Sequence, residues 1–205
     1  MTKCLENFVS QTLGFITRFC AAELRIYMED IKHTYTTQWV GPLSYDEYKE
    51  YVRRSDTLQS GYFNFYYFEA RQDARYKWHR YVGIHKENDG IDRRLNTSHS
   101  HLKEFLDCKE LRIWIGSFAD AKNQKEDKIE LVETLLIQAY RDELTENDRK
   151  KVYLPKESVC LINLWFDQDE RLKVYNIDRP CFDDVVLYYS EEQMFKRGNL
   201  ARVTG

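Results

Sequence analysis

The middle of the chain carries two different periodicities of apolar residues. Residues 62–70 and 78–84 are dense in aromatic and β-branched side chains, which favours β-strands. Residues 91–106 and 125–141 instead repeat apolar side chains every three or four positions, as amphipathic helices do. Residues 111–118 form a short apolar run between the two helical patterns, and this run predicts a third strand. The predicted order is therefore strand, strand, helix, strand, helix.

A helical wheel of residues 125–141 places one carboxylate among apolar side chains. At about 100° per residue, Glu133 lies inside the apolar arc of this helix. The arc is formed by Ile129, Val132, Leu136 and Tyr140. A carboxylate that points at the core costs free energy unless a cation, a metal ion or hydrogen-bond donors meet it. Glu133 is therefore a candidate functional residue.

The wheel of residues 91–106 arranges two arginines and two histidines around an apolar side. Arg94 lies at the edge of that side, whereas Arg93 points the opposite way. His101 projects on the same edge as Arg94, and His99 lies on the other edge. The apolar side comprises Ile91, Leu95, Ser98, Leu102, Phe105 and Leu106. The two wheels together predict one arginine beside the core and one carboxylate within it.

The N-terminal part of the chain reads as helical. Residues 4–32 repeat apolar side chains at helical spacing, which predicts one long helix or two that break near Gly14. Further on, Ser44 and Glu47 have the spacing of a capping box, and they predict a short helix that ends near Arg54.

Strands dominate the C-terminal part. Residues 145–156 form a highly charged segment. After it, residues 159–166 and 172–177 predict a β-hairpin, and residues 185–189 predict one more strand.

Charge is unevenly distributed along the chain. The formal net charge is −3, yet residues 70–103 contain eight Lys or Arg against four Asp or Glu. The same stretch holds four of the five histidines, namely His79, His85, His99 and His101. A basic patch on an acidic body is compatible with a phosphate site, and ordinary surface variation explains it equally well. The length of 205 residues suits one domain.

Cysteine usage and the N-terminal charges bear on the compartment. The five cysteines are scattered and contain no CxxC pair, which excludes a familiar zinc ribbon and favours reduced, intracellular thiols. Charged residues interrupt the N-terminal apolar pattern, so no signal peptide and no membrane span are expected. We expect a cytoplasmic protein.

The order of the elements and the residues at their ends resemble the GIY-YIG nuclease domain over residues 61–165. Residues 81–83 (Tyr-Val-Gly) match the second tyrosine motif of that family. Residues 65–67 (Phe-Tyr-Tyr) stand where the first motif belongs, but they lack its glycine and isoleucine. Arg94 matches the arginine that opens the family's first helix, and Glu133, followed by an apolar run, matches the glutamate of its second helix.

The resemblance implies a metal-dependent hydrolysis of phosphodiester bonds. Glu133 is expected to hold one divalent ion, Mg²⁺ or Mn²⁺, with water in much of its shell. Arg94 is expected to contact the scissile phosphate. Tyr67 or Tyr81 is expected to deprotonate the attacking water while the other tyrosine positions it, and Tyr66 is an alternative to Tyr67 in the first motif.

The resemblance also implies a histidine and an asparagine in the site. In some restriction-type members a histidine on the first helix assists, and His99 is the first candidate here, with His101 as the alternative. The family's asparagine enters a strand. Asn163 fits that context, while Asn147 is closer in spacing but is followed by polar residues.

The sequence therefore predicts an α/β protein with a small mixed sheet flanked by helices. We expect an N-terminal helical extension (1–60), a catalytic core (61–165) and a C-terminal β extension (166–205) that pack as one unit. The expected function is that of a restriction-type or defence-type DNA endonuclease that works as a homodimer. Two alternatives remain: a nucleic-acid-binding protein that has lost cleavage, and a protein-interaction domain in which Arg94 and Glu133 form a structural pair.

Overall fold

A seven-stranded mixed β-sheet forms the centre of the computed structural model, which describes residues 30–54, 63–87, 91–96, 98–147, 153–169, 171–173 and 179–199. Its strands are β1 (His33–Leu43), β2 (Phe65–Arg71), β3 (His79–Ile84), β4 (Glu110–Phe118), β5 (Val159–Phe166), β6 (Val185–Tyr189) and β7 (Met194–Gly198). They lie in the order β3-β2-β4-β1-β5-β6-β7. The pair β1–β5 is parallel and the other pairs are antiparallel. The predicted α/β class with a mixed sheet is confirmed.

Helices cover both faces of the sheet. The described part of the chain contains α1 (Tyr45–Arg54), α2 (Ile91–Arg94), α3 (Ser100–Leu106) and α4 (Glu126–Ala139), with a short 3₁₀ helix at Ala121–Asn123. Helices α1, α2 and α3 pack on one face, in the core that includes Tyr66 and Phe68. Helix α4 packs on the other face, in the core that includes Phe65 and Tyr67. Successive residues of β2 thus point to opposite helical layers.

The local signals at α1 and in the central strands are confirmed. The Ser44 amide donates to Glu47 Oε2 at 2.7 Å, and the Glu47 amide donates to Ser44 Oγ at 3.3 Å, which is the reciprocal bonding of a capping box. Strands β2, β3 and β4 lie within a few residues of their predicted positions. None of the helices in the described residues is long and apolar enough to cross a bilayer.

The prediction of a single helix over residues 91–106 is wrong, because the helix is interrupted between α2 and α3. Asn96 Oδ1 accepts a hydrogen bond from the Ser98 amide at 2.8 Å. Such a local side-chain bond competes with the helical bond to the backbone. Helix α3 then starts afresh after His99, which caps its N-terminus. The wheel positions predicted for His99 and His101 relative to Arg94 therefore do not apply.

The sequence did not predict β1, although it lies at the centre of the sheet between β4 and β5. Its side chains alternate between the two cores, with Tyr35 and Trp39 on the α4 side and Val40 and Leu43 on the other. The helix predicted before it lies outside the described residues, except for residues 30–32, which are not helical.

The predicted hairpin of β5 with residues 172–177 is also wrong as far as it is described. Strand β6 is the antiparallel neighbour of β5, whereas Leu172 makes one isolated bridge to Phe166. Strand β6 carries a continuous run of apolar side chains that the sheet buries, and Leu172 remains 38% exposed. Burial of apolar area therefore favours β6 in this position. Residues 174–178 lie outside the description.

Candidate active site at the edge of the sheet

Tyr66 lies across the backbone of the edge strand β3. It is paired with Gly83, and a Cβ atom added at Gly83 would lie 2.4 Å from Tyr66 Cζ and 2.5 Å from its hydroxyl oxygen. Real atoms do not approach so closely, so the ring occupies the space that any side chain at position 83 would fill. Because Gly83 has no side chain, the ring of Tyr66 can extend across β3, and its hydroxyl comes to lie towards the edge of the sheet.

We expect Gly83→Ala to destabilise the protein by about 1–3 kcal/mol, the usual cost of overpacking a filled site. The matched control is Gly198→Ala on the opposite edge strand, where an added Cβ would meet nothing within 4 Å. Urea unfolding of the two variants measures the difference in the free energy of unfolding. Equal stability of both variants would contradict the packing of Tyr66 over Gly83.

His99 holds the hydroxyl of Tyr66 from the helical side. His99 Nδ1 accepts a hydrogen bond from the Leu102 amide at 3.2 Å, and His99 Nε2 lies 3.0 Å from the Tyr66 oxygen. Burial lowers the pKa of His99 to about 4, with help from the charge of Arg94. The ring is therefore neutral at pH 7 and carries its proton on Nε2, because Nδ1 already accepts. His99 thus donates to Tyr66.

Arg94 is a second group, a cationic one, that faces the same oxygen. The Tyr66 oxygen is the largest cause that raises the pKa of Arg94, and Glu133 adds to it. Burial raises the pKa of Tyr66 well above its ordinary value, while Arg94 opposes that rise. Tyr66 is consequently a neutral phenol in the protein alone, but its oxygen already faces two donors that would stabilise a phenolate.

Two cavities meet at a wall made by Tyr81, Arg94 and Glu133. The larger has a volume of about 610 Å³ and also contacts His99, His101 and Asn147. The smaller has a volume of about 530 Å³ and also contacts Tyr66, Lys86 and Arg93. The wall therefore combines side chains from β3, α2 and α4, which belong to different layers of the fold.

Glu133 reaches this wall from α4, on the face of the sheet opposite to Arg94. It is 6% exposed and lies among the apolar side chains of its helix, which confirms the burial predicted by the helical wheel. Lys86, just beyond β3, bonds to Glu126 at 2.8 Å and to Glu130 on the outer side of α4. These ion pairs join α4 to the end of β3, so the carboxylate of Glu133 is held beside the edge strand.

Each of the two tyrosines at the site contacts the ring of a histidine. The rings of Tyr66 and Tyr81 are 6.0 Å apart between centroids, and His101 stacks on Tyr81 at 4.3 Å with an interplanar angle of 27°. His99 meets Tyr66 edge-on at 5.5 Å. Both candidate histidines therefore lie at the site, each beside a different tyrosine.

Asn147 fixes the outer edge of β3. Its Oδ1 accepts from the Val82 amide at 2.8 Å, and its Nδ2 donates to the Val82 carbonyl at 2.7 Å. The neighbouring Glu146 amide donates to the Arg80 carbonyl at 3.1 Å. Because these bonds replace a neighbouring strand on both sides of Tyr81, they hold that tyrosine in place.

The structure does not bring Tyr67 and Asn163 to the cavities. Tyr67 points to the α4 face, where it is fully buried and donates to Glu69 at 3.1 Å. Asn163 is 1% exposed and accepts from Thr37 at 2.8 Å and from Trp39 at 3.1 Å. Each side chain is committed to bonds within the α4-side core. Tyr66 and Asn147, the alternatives to these two residues, line the cavities instead.

Among the described residues of the shared wall, Glu133 supplies the carboxylate that could serve as a metal ligand. Among the described residues, no cluster of three His, Cys, Asp or Glu side chains is placed to hold a metal. Mg²⁺ commonly binds through one or two carboxylates and substrate phosphates while it keeps several waters. One buried carboxylate beside two cavities suits that mode, and Glu133 is the residue that supplies it.

Function has to be inferred from these contacts and from the chemistry of the lining residues. Comparisons with protein-family models, curated proteins and solved structures find no match for this chain.

Proposed function

We propose that this protein is an Mg²⁺-dependent endonuclease that hydrolyses DNA phosphodiester bonds, of the restriction or defence type. The observation that carries the proposal is the meeting of Tyr66, Tyr81, Arg94 and Glu133 around two adjoining cavities. These residues come from elements far apart in the chain, and each occupies a motif position in the resemblance to GIY-YIG nucleases. A carboxylate can hold a metal ion, a guanidinium can bind a phosphate and a phenolate can take a proton, so these groups suit phosphodiester hydrolysis.

Arg94 is proposed to bind the scissile phosphate. Its guanidinium lines both cavities and is held by Tyr66. A planar donor fork suits two oxygens of one phosphate, and a donor that is already in place stabilises the charge that develops in the transition state. Glu133 would hold a divalent ion, Mg²⁺ or Mn²⁺, which supplies stabilisation of the leaving oxygen and of the phosphate charge.

Of the two tyrosines, Tyr66 is the better candidate for taking the proton from the attacking water, once its own phenolic proton has been lost to solvent and the phenolate is the base. Arg94 and His99 both face its oxygen, and donors to a phenolate lower the pKa of the phenol. Tyr81, on the shared wall and stacked on His101, is placed to orient the water. His99 is a positioning residue, because it acts through Tyr66.

Tyr66→Phe should reduce the rate of cleavage by two orders of magnitude or more, the usual range for loss of an acid–base group. Tyr67→Phe is the matched control, since it removes a hydroxyl from the adjacent residue on the opposite face. Single-turnover cleavage at saturating enzyme measures both variants, and we expect Tyr67→Phe to stay within about threefold of the wild-type rate. The opposite ranking would return the first motif's role to Tyr67.

The proposed function is tested directly with supercoiled plasmid. The purified protein is incubated with plasmid in the presence of Mg²⁺, of Mn²⁺, or of a chelator. Conversion to nicked or linear DNA with either metal, and not with the chelator, is the expected result. Intact plasmid under all conditions, over a wide range of sequences, would contradict the proposal.

We also propose that the active form is a homodimer. The described residues form one site, and cleavage of both strands of a duplex needs two, which two-fold symmetry supplies. Linear plasmid as the first product would support paired sites, whereas accumulation of nicked circles would indicate that one site acts alone. The apolar N-terminal segment (4–32) is the candidate for the contact between subunits, and all of it except residues 30–32 lies outside the described residues.

A further inference from the structure

The turn that joins β2 and β3 is basic and aromatic, in contrast to the protein as a whole. Residues 71–80 contain four Lys or Arg and one Asp, while the formal net charge of the chain is −3. Tyr76 and Trp78 are interleaved with these cations. Basic side chains alternating with aromatic ones form a common surface for nucleic acids.

The outer part of the turn presents its cations to solvent. The side chain of Arg75 is 85% exposed, Tyr76 is 59% exposed, and Lys77 is exposed as well. Asp73 shapes the turn, because its Oδ1 accepts from the Arg75 amide at 2.8 Å and its carboxylate pairs with the Arg75 guanidinium at 2.9 Å. Asp73 thus fixes where Arg75 lies, and Lys77 adds a positive charge beyond that pair.

The base of the turn is anchored to the sheet. Trp78 has the guanidiniums of Arg71 and Arg112 over its ring, at 4.3 and 4.9 Å from the centroid. Those two arginines also pair with Glu110 and Glu69, respectively, on the same face of the sheet. The stacked cations and their carboxylates therefore stiffen the base of the turn.

The same strand connects the turn to the candidate active site. Strand β3 begins at His79 and carries Tyr81 and Gly83. A strand rises about 3.3 Å per residue, so the turn lies roughly 10–20 Å from the shared wall of the cavities. Each strand of a DNA duplex carries one phosphate per 3.4 Å of helix axis. A duplex across the cavities would therefore reach the turn within about three to six base pairs.

From these observations we propose that residues 72–78 bind the phosphate backbone of duplex DNA a few base pairs from the scissile bond. This inference rests on the proposed nuclease function and adds a contact that positions the substrate. Arg75 and Lys77 supply the charge, and Tyr76 packs against the sugar beside the phosphate. The contact is with the backbone, so it strengthens binding without regard to sequence.

The test uses the Glu133→Gln variant, so that DNA is bound and not cut. In that background, Arg75→Ala/Lys77→Ala is compared with Arg53→Ala/Arg54→Ala on α1. The control also removes two exposed cations, 77% and 76% exposed, that pair with one carboxylate, Glu50. Fluorescence anisotropy is measured with a duplex long enough to cover both the cavities and the turn. It gives the Kd at each of several salt concentrations between about 50 and 200 mM.

The turn variant should weaken binding on the order of tenfold at about 0.15 M salt and reduce the slope of log K against log salt by about 1 to 2. The control should leave both quantities unchanged. If the two double variants show the same Kd and the same slope, the turn does not bind DNA, while the proposed nuclease function stands. If the Glu133→Gln protein binds no duplex at all, the proposed function fails together with the inference.

Discussion

Glu133→Gln is expected to abolish Mg²⁺-dependent cleavage, with a loss on the order of 10³-fold or more, because several kcal/mol of charge stabilisation depend on the ion. Glutamine keeps the shape of the buried side chain and removes its charge. Glu133 lies among apolar residues of α4 at 6% exposure, so a neutral amide at this position does not raise the cost of burial. Folding and DNA binding should therefore persist. Single-turnover experiments measure the loss of cleavage, and calorimetric titration with Mn²⁺ separately measures the loss of metal binding.

The control for this variant is Glu126→Gln on the same helix. Glu126 is 69% exposed and pairs with Lys86 at the surface, so its loss should leave cleavage within about twofold, as for most surface substitutions. Undiminished cleavage by Glu133→Gln would remove this residue from the mechanism. Loss of folded structure in that variant would instead favour a structural pairing of Glu133 with Arg94.

The features that were predicted correctly from the sequence depend on local patterns of residues. The wheel of α4 placed Glu133 in the buried arc without knowledge of any other element, because the spacing of side chains on one helix is fixed. The capping box at Ser44 and Glu47 is local in the same way, and its bonds are present. Such features need no information about which elements pack together.

The assignments that differ depend on neighbours in space. Side chains alternate between the two faces of a strand, so Tyr66 and Tyr67 must point to opposite faces. This alternation does not show which of the two faces meets Arg94. The structure shows that Tyr66 packs in the same core as α2 and lies across Gly83, and this placement depends on the register of β2 and β3. The Gly in the Tyr-Val-Gly motif was the signal, since a glycine in a strand often marks close packing of another group.

The choice of asparagine shows the same limit. Asn163 lies in a strand, as the family pattern requires, yet its side chain is bonded to Thr37 and Trp39 of β1. Strand β1 was not predicted, so those partners were unknown. Asn147 lies outside the regular elements and bonds to the backbone of Val82, 65 residues away in the chain. Only the folded arrangement shows that it supports the strand of Tyr81.

The break between α2 and α3 changed the site more than any other local difference. A continuous helix would carry His99 away from Arg94, whereas the turn at Asn96 and Ser98 brings His99 to the oxygen that Arg94 also faces. The polar residues of that turn favour such a break. The result is one phenol between two donors, which a single helix does not produce.

Arg94→Ala should lower the rate of cleavage by at least two orders of magnitude, the range observed when one donor to a developing charge is removed. Arg94 lines both cavities and its charge lowers the pKa of Tyr66, so its loss removes the proposed phosphate ligand and a charge that favours the proposed base. Single-turnover rates over a range of pH measure the effect. The pH at which the rate levels off should also move upwards, because the pKa of Tyr66 increases when its phenolate loses a stabilising charge.

Arg93→Ala is the matched comparison, because Arg93 is the adjacent residue and contacts the smaller cavity alone of the two. Its removal should weaken DNA binding and reduce the salt dependence by about one phosphate contact, with the single-turnover rate at saturating DNA nearly unchanged. A larger rate loss for Arg93→Ala than for Arg94→Ala would show that the scissile phosphate lies in the smaller cavity beside Arg93. In that case the interaction of Arg94 with Tyr66 would be structural, and the proposed base would lack the cation on which its activation depends.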